Sequence, residues 1–148
     1  MRRISRLTVA GLALSLFGAT GAMAQGTLTV SRDDGRDRLQ DLICTTLTWT
    51  TNSSGEFSQS TTQIRGNLLR VVFDPAGGSA SPEANYDLVL TDRDAFDVLG
   101  GAGANLSQSA TTDAVPTGDG LNTVGPLTLT VTNASDERTG MVRVFHRP

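Results

Sequence analysis

The segment Gln63–Gly101 reads QIRGNLLRVVFDP, then a loop of small residues, then NYDLVLTDRDAFDVLGG. Its first half carries six apolar residues among the ten from Ile64 to Phe73 and is closed by Asp74-Pro75, and proline both lacks an N–H for a sheet ladder and drives the preceding residue out of helical geometry. Ile64 to Phe73 is therefore read as a strand. Leu69, Val71 and Phe73 face one way and Ile64, Leu68 and Val72 the other, and apolar residues on both faces predict a central strand covered on both sides. Its second half alternates Tyr86, Leu88 and Leu90 against polar neighbours, the period-two pattern of a half-buried strand, before Asp92-Arg93-Asp94-Ala95 turns the chain toward a short returning strand at Asp97–Leu99.

The same logic extends outward. Gly26 to Ser31 is a short strand, and Arg32 to Arg38 is a charged turn with room for one helical turn before Asp41. Leu42 to Thr51 places Ile43, Leu47 and Trp49 on one face and Cys44, Thr46 and Thr48 on the other; it joins Glu56 to Thr62 through Asn52-Ser53-Ser54-Gly55, which reads as a hairpin. The long Gly100 to Asn122 stretch is rich in Gly, Ala, Ser and Thr, with one extended edge segment near Ser109 to Val115. Leu127 to Thr132 has the cleanest alternation in the chain, and Met141 to His146 closes the fold. Strands without helical crossovers pair antiparallel. The expectation is an all-β, single antiparallel β-sandwich of about seven to nine short strands, with Trp49, Leu69, Val71, Leu88, Leu90, Leu129 and Val131 in a common core.

At the N-terminus, Arg2, Arg3 and Arg6 form a basic region ahead of the apolar run Leu7 to Ala19, which falls short of the ~20 residues a bilayer-spanning helix needs. Ala22-Met23-Ala24 then offers the small side chains that a signal peptidase recognises. Residues 1–24 are read as a signal peptide, cut between Ala24 and Gln25, leaving one domain over 25–148 that is exported to the periplasm or outside the cell. Processing removes three of the 12 basic residues and none of the 15 acidic ones, so nine remain against 15 and the net charge becomes −6. An acidic domain repels phosphate backbones and anionic lipid headgroups, which argues against nucleic acid or a membrane surface as a partner after cleavage. Cys44 is the lone cysteine, so no intramolecular disulfide forms, and packing has to supply the stability.

The words LTWTTNSSGEF, QIRGNLLRVVFDP, NYDLVLTDRDAFDVLGGAGAN, VGPLTLTVTN and the closing VRVF resemble small β-rich proteins of tailed bacteriophages and prophages that are taken to be virion components. The resemblance runs over Leu47 to Phe145. It implies a β-rich fold and a phage-like virion accessory role, and it brings no catalytic residue. Those proteins tend to carry Asp-x-Asp-Gly where this chain has Asp92-Arg93-Asp94-Ala95.

Candidate chemistry is sparse. Asp92, Asp94 and Asp97, with Asp87 upstream, cluster carboxylates at a strand end, the hard oxygen ligands that calcium takes; the competing expectation is a solvated turn whose aspartates cap local N–H groups. Asp33, Asp34 and Asp37 are a weaker acidic group because arginines interleave them. Trp49 could stack on a carbohydrate, yet it shares a face with Ile43 and Leu47 and is expected in the core. The only histidine, His146, stands two residues from the C-terminus, where it is expected to fray, and no Gly-x-Ser-x-Gly elbow accompanies it. Cys44 and His146 alone cannot fill a zinc shell. The expected function is that of an exported structural or interaction module with no catalytic activity and no cofactor, engaging a protein partner or a second copy of itself; a virion accessory protein and a calcium-dependent or carbohydrate-binding module are the alternatives.

Overall fold

The structure is a computed structural model that describes residues 26–33, 42–61, 64–116, 121–123 and 125–148. The cleavage residues Ala22, Ala24 and Gln25, the helical turn expected before Asp41, and Asp34 and Asp37 lie outside the described residues. Among the described residues all regular structure is β: β1 (Thr27–Asp33), β2 (Ile43–Thr50), β3 (Phe57–Thr61), β4 (Gly66–Asp74), β5 (Asp87–Thr91), β6 (Thr112–Ala114), β7 (Leu121–Thr123), β8 (Leu127–Thr132) and β9 (Thr139–Arg147). They form two antiparallel sheets. One is ordered β1-β2-β9-β4-β6, with β7 also pairing β4, and the other is β3-β8-β5.

The inner rows of the two sheets meet in a single apolar core. Leu47 and Trp49 of β2, Val71 and Phe73 of β4, and Val142 and Val144 of β9 face Leu88 and Leu90 of β5 and Leu127, Leu129 and Val131 of β8. Strict alternation explains both β2 and β8. Their burial alternates between buried and half-buried without a break, as expected when every second side chain of a β-branched or aliphatic strand enters a core and the threonines between them face out.

Strand β4 departs from the expectation. Its pairing with β9 steps from Leu68↔His146 directly to Arg70↔Phe145, a bulge at Leu69 that shifts the strand's parity by one. Leu68 therefore shares the core row with Val71 and Phe73, while Leu69 is only half-buried. The extra residue is also why this strand reads as apolar on both faces. Position as a central strand holds: β4 lies between β9 on one side and β6 and β7 on the other.

Three further expectations are corrected. The segments around Asn52 do not make a hairpin, because both edges of β2 are taken by β1 and β9 and the chain after Gly55 crosses to β8 of the other sheet. Asp97–Leu99 is not a strand; it makes one isolated bridge, Thr91↔Asp97. Arg32 and Asp33 belong to β1 rather than to a loop. The edge segment expected near Ser109 to Val115 is present as β6.

The bulge gives a direct test. Leu68→Ala removes a fully enclosed side chain and is expected to cost ~2–5 kcal/mol of unfolding free energy, whereas Leu69→Ala is expected to cost less than ~1.5 kcal/mol. Urea denaturation of the two variants checks it, and equal or reversed effects would mean that β4 runs without the bulge.

Candidate functional site

The acidic turn is built on a specific backbone scaffold. Asp92 Oδ1 accepts the N–H groups of Asp94 and Phe96, each at 2.9 Å, while the Asp92 N–H donates to the Phe96 carbonyl at 3.0 Å and the Ala95 N–H to the Asp92 carbonyl at 3.1 Å. Ala95 closes the turn in the left-handed region at φ 62°. Asn52 repeats this pattern at the corner between the sheets: its Oδ1 accepts Ser54 and Glu56 N–H at 2.9 and 3.0 Å, its N–H donates to the Glu56 carbonyl at 2.9 Å, and Gly55 sits at φ 74°. Both are type I turns followed by a left-handed residue. The glycine of an Asp-x-Asp-Gly sequence at this place serves backbone geometry, and Ala95 adopts the same geometry against its own Cβ.

The neighbouring carboxylates are engaged in the same way. Asp97 accepts Leu99 N–H on Oδ1 at 2.9 Å and Gly101 N–H on Oδ2 at 2.8 Å. Asp87 reaches the Asn105 N–H at 2.8 Å and the Asn133 side-chain amide at 2.7 Å, joining the 101–106 loop to the turn after β8. Asp94 is exposed and meets only Arg93 at 3.5 Å. Thus Asp92 and Asp97 are taken up by different backbone N–H groups of the loop after β5, and Asp94 turns to Arg93 instead of joining them. Among the described residues no three His, Cys, Asp or Glu side chains come together as a metal-holding group.

Asp87, Asp92 and Asp97 instead order the loop that protects a sheet edge. Leu88 N–H donates to the Gly103 carbonyl at 2.7 Å, Val98 N–H to the Leu90 carbonyl at 2.9 Å, and Tyr86 and Leu106 bridge, so the loop 96–106 covers the outer edge of β5. An uncovered edge would be a template for pairing with another chain. Gly103 is required for this approach, since a Cβ there would lie 2.0 Å from the Leu88 carbonyl oxygen.

His146 lies in the closing strand that the sequence reading expected, but it is enclosed rather than frayed. It is inside β9, paired with Ile43 and Leu68 on either side, and is 1% exposed. Its Nδ1–H donates to the Arg65 carbonyl at 2.8 Å, because a carbonyl can only accept, and Nε2 lies 3.0 Å from the Thr45 hydroxyl. The imidazole is thereby held between two strands and a loop. The clue available in the sequence was parity: His146 continues the inward row of Val142 and Val144. Trp49 is likewise a core residue, 1% exposed. Cys44 is half-buried, on the outward row opposite Phe145.

Two charged pairs sit on the outer face of the larger sheet, Arg143 with Asp74 at 2.9 Å and Arg70 with Asp113. Arg70 Nε reaches both oxygens of Asp113 at 2.9 Å and Nη2 adds a contact at 2.8 Å, with the guanidinium over the Phe145 ring at 5.7 Å. The hydrogen bond from Arg70 draws the Asp113 carboxyl below its ordinary range. Both side chains are about half exposed, so the pair fixes β6 on β4 and contributes little more.

No protein-family model, curated protein or solved structure matches the chain.

The turn geometry separates capping from calcium binding. Asp92→Ala is expected to lower stability by ~1 kcal/mol or more through the loss of the side-chain acceptor for two backbone N–H groups, whereas Asp94→Asn is expected to change it by less than ~0.5 kcal/mol. Thermal melts in EDTA, calcium and magnesium should coincide. A rise of several degrees specific to calcium and abolished by Asp94→Asn would contradict this assignment.

Proposed function

We propose that the chain is an exported, single-domain β-sandwich that acts as a structural or interaction module and carries no catalytic activity. The observation that carries this reading is the placement of the reactive side chains. The one imidazole in the sequence is enclosed and hydrogen-bonded between Thr45 and the Arg65 carbonyl, and Asp87, Asp92 and Asp97 each hold loop N–H groups. General acid–base work needs such groups within reach of a substrate proton, in an accessible position. Here they order the frame.

The outer faces support an interaction role. Ser58 meets Thr130 at 3.0 Å and Ser60 meets Thr128 at 2.8 Å across β3 and β8, while Thr50 meets Thr139 at 3.1 Å across β2 and β9. Hydroxyls paired side by side in this way make the outer face of the smaller sheet polar, while on the larger sheet they stand alongside the Arg70–Asp113 and Arg143–Asp74 pairs. The export part of the proposal rests on the basic and apolar N-terminal segment with its Ala22-Met23-Ala24 ending.

Expression of the full chain in a bacterial host, followed by intact-mass measurement of cytoplasmic, periplasmic and medium fractions, tests it. The expected product is extracytoplasmic and begins at Gln25 or its cyclised form. A cytoplasmic protein retaining residues 1–24 would overturn export and bring forward the virion accessory reading.

A further inference from the structure

The geometry points to a second, separate feature: a binding site for a small monocarboxylate in the cavity between the loop 75–83 and the turn 133–138. The cavity holds about 500 Å³ and is lined by Gly78, Ser81, Glu83, Gln108 and Arg138 among others, a size suited to a small ligand. Its walls are pinned. Thr139 N–H donates to the Ala80 carbonyl at 2.8 Å and Glu83 N–H to the Ala134 carbonyl at 3.1 Å, so the loop is tied both to the turn and to the start of β9. The Ser107 hydroxyl accepts the N–H groups of Ser109 and Ala110 at 3.2 and 3.1 Å, which sets the wall that carries Gln108.

Arg138 is the chemical reason for the assignment. Arg70, Arg93 and Arg143 each meet an aspartate, but Arg138 meets a carbonyl: its Nη1 donates to Ser79 O, and its backbone N–H donates to Thr51 Oγ1 at 2.8 Å. The first contact holds the guanidinium and the second holds the backbone that carries it. The Nε–H is buried with no acceptor on the protein, and so is the Ser81 hydroxyl on the same cavity. A guanidinium held by one Nη leaves its Nε and second Nη as a planar fork, and a carboxylate is the anion whose two oxygens match that fork. Ser81 supplies a further donor. Glu83 lines the cavity as well and repels added negative charge, which selects a singly charged carboxylate over sulfate or phosphate.

The carboxylate could belong to a peptide C-terminus or to a sugar acid, and titration distinguishes them. Amide chemical shifts of the ¹⁵N-labelled domain are followed against acetate, N-acetylglycine, glucuronate and sulfate. Saturable shifts at Ser81, Gln108, Ser109 and Arg138 are expected with the carboxylates, with N-acetylglycine the tighter if the source is a peptide and glucuronate if it is a sugar. Arg138→Gln should weaken binding by ~10-fold or more, and Glu83→Gln should tighten it. Should Arg138→Gln lose its dispersed spectrum, Ser81→Ala, which leaves the loop's ties intact, should still weaken binding several-fold. No saturable shift, shifts unaffected by these substitutions, or binding of sulfate equal to that of the carboxylates would overturn the site.

Discussion

The two sheets depend on one close approach, the Trp49 ring lying across Gly140. Trp49 of β2 stands opposite Gly140 of β9, and a Cβ on Gly140 would come within 2.4 Å of the indole ring. Only glycine lets the ring lie flat over the neighbouring strand. From there it meets Tyr86, just before β5 in the other sheet, with ring centroids 5.9 Å apart and planes tilted by 47°. Both rings are 1% exposed. Each removes ~150–250 Å² from water, roughly 4–6 kcal/mol per ring at about 25 cal/mol per Å². That outweighs the ~1–3 kcal/mol cost of leaving the Trp49 Nε1–H buried without a partner.

From this contact the rest of the architecture follows. With β2 and β9 fixed side by side under the aromatic pair, β4 docks on the free edge of β9, and its bulge brings Leu68 rather than Leu69 into the inner row. The smaller sheet has only β3, β8 and β5, so its β5 edge needs cover, and the aspartate-capped loop after β5 supplies it. The acidic residues that look like ligands in one dimension act in three dimensions as loop anchors.

Much of this was legible in the sequence where local pattern and tertiary burial agree. The inward rows of β2 and β8 follow from alternation alone, and the all-β class follows from turn chemistry and the lack of helical periodicity. Three things were hidden for physical reasons. A bulge inserts one residue without changing composition, so Leu68 and Leu69 exchange roles silently. The Asn52 corner uses the same local hydrogen bonds as the Asp92 turn, yet one joins two sheets and the other folds back along an edge; the partner strands, distant in sequence, decide which. The enclosure of His146 depends on Thr45 and Arg65, respectively 101 and 81 residues away, and nearness to the chain end suggested fraying instead.

The sheets close over Trp49 and Tyr86, and Tyr86, the only tyrosine, reports on that closure alone. Burial, with a smaller contribution from the charge of Asp74, pushes its phenol from 10.0 up to about 12. Between those two values the unfolded chain loses the proton while the folded chain keeps it, so stability falls as pH rises from 10 to about 12, by ~2–3 kcal/mol in all. Phenolate absorbance during an alkaline titration, with far-ultraviolet circular dichroism recorded in parallel, measures this directly. A midpoint near pH 12, or ionisation only as the fold is lost, is expected. A midpoint near pH 10 with the sheet signal intact would mean that Tyr86 is wet and that the sheets do not close as described.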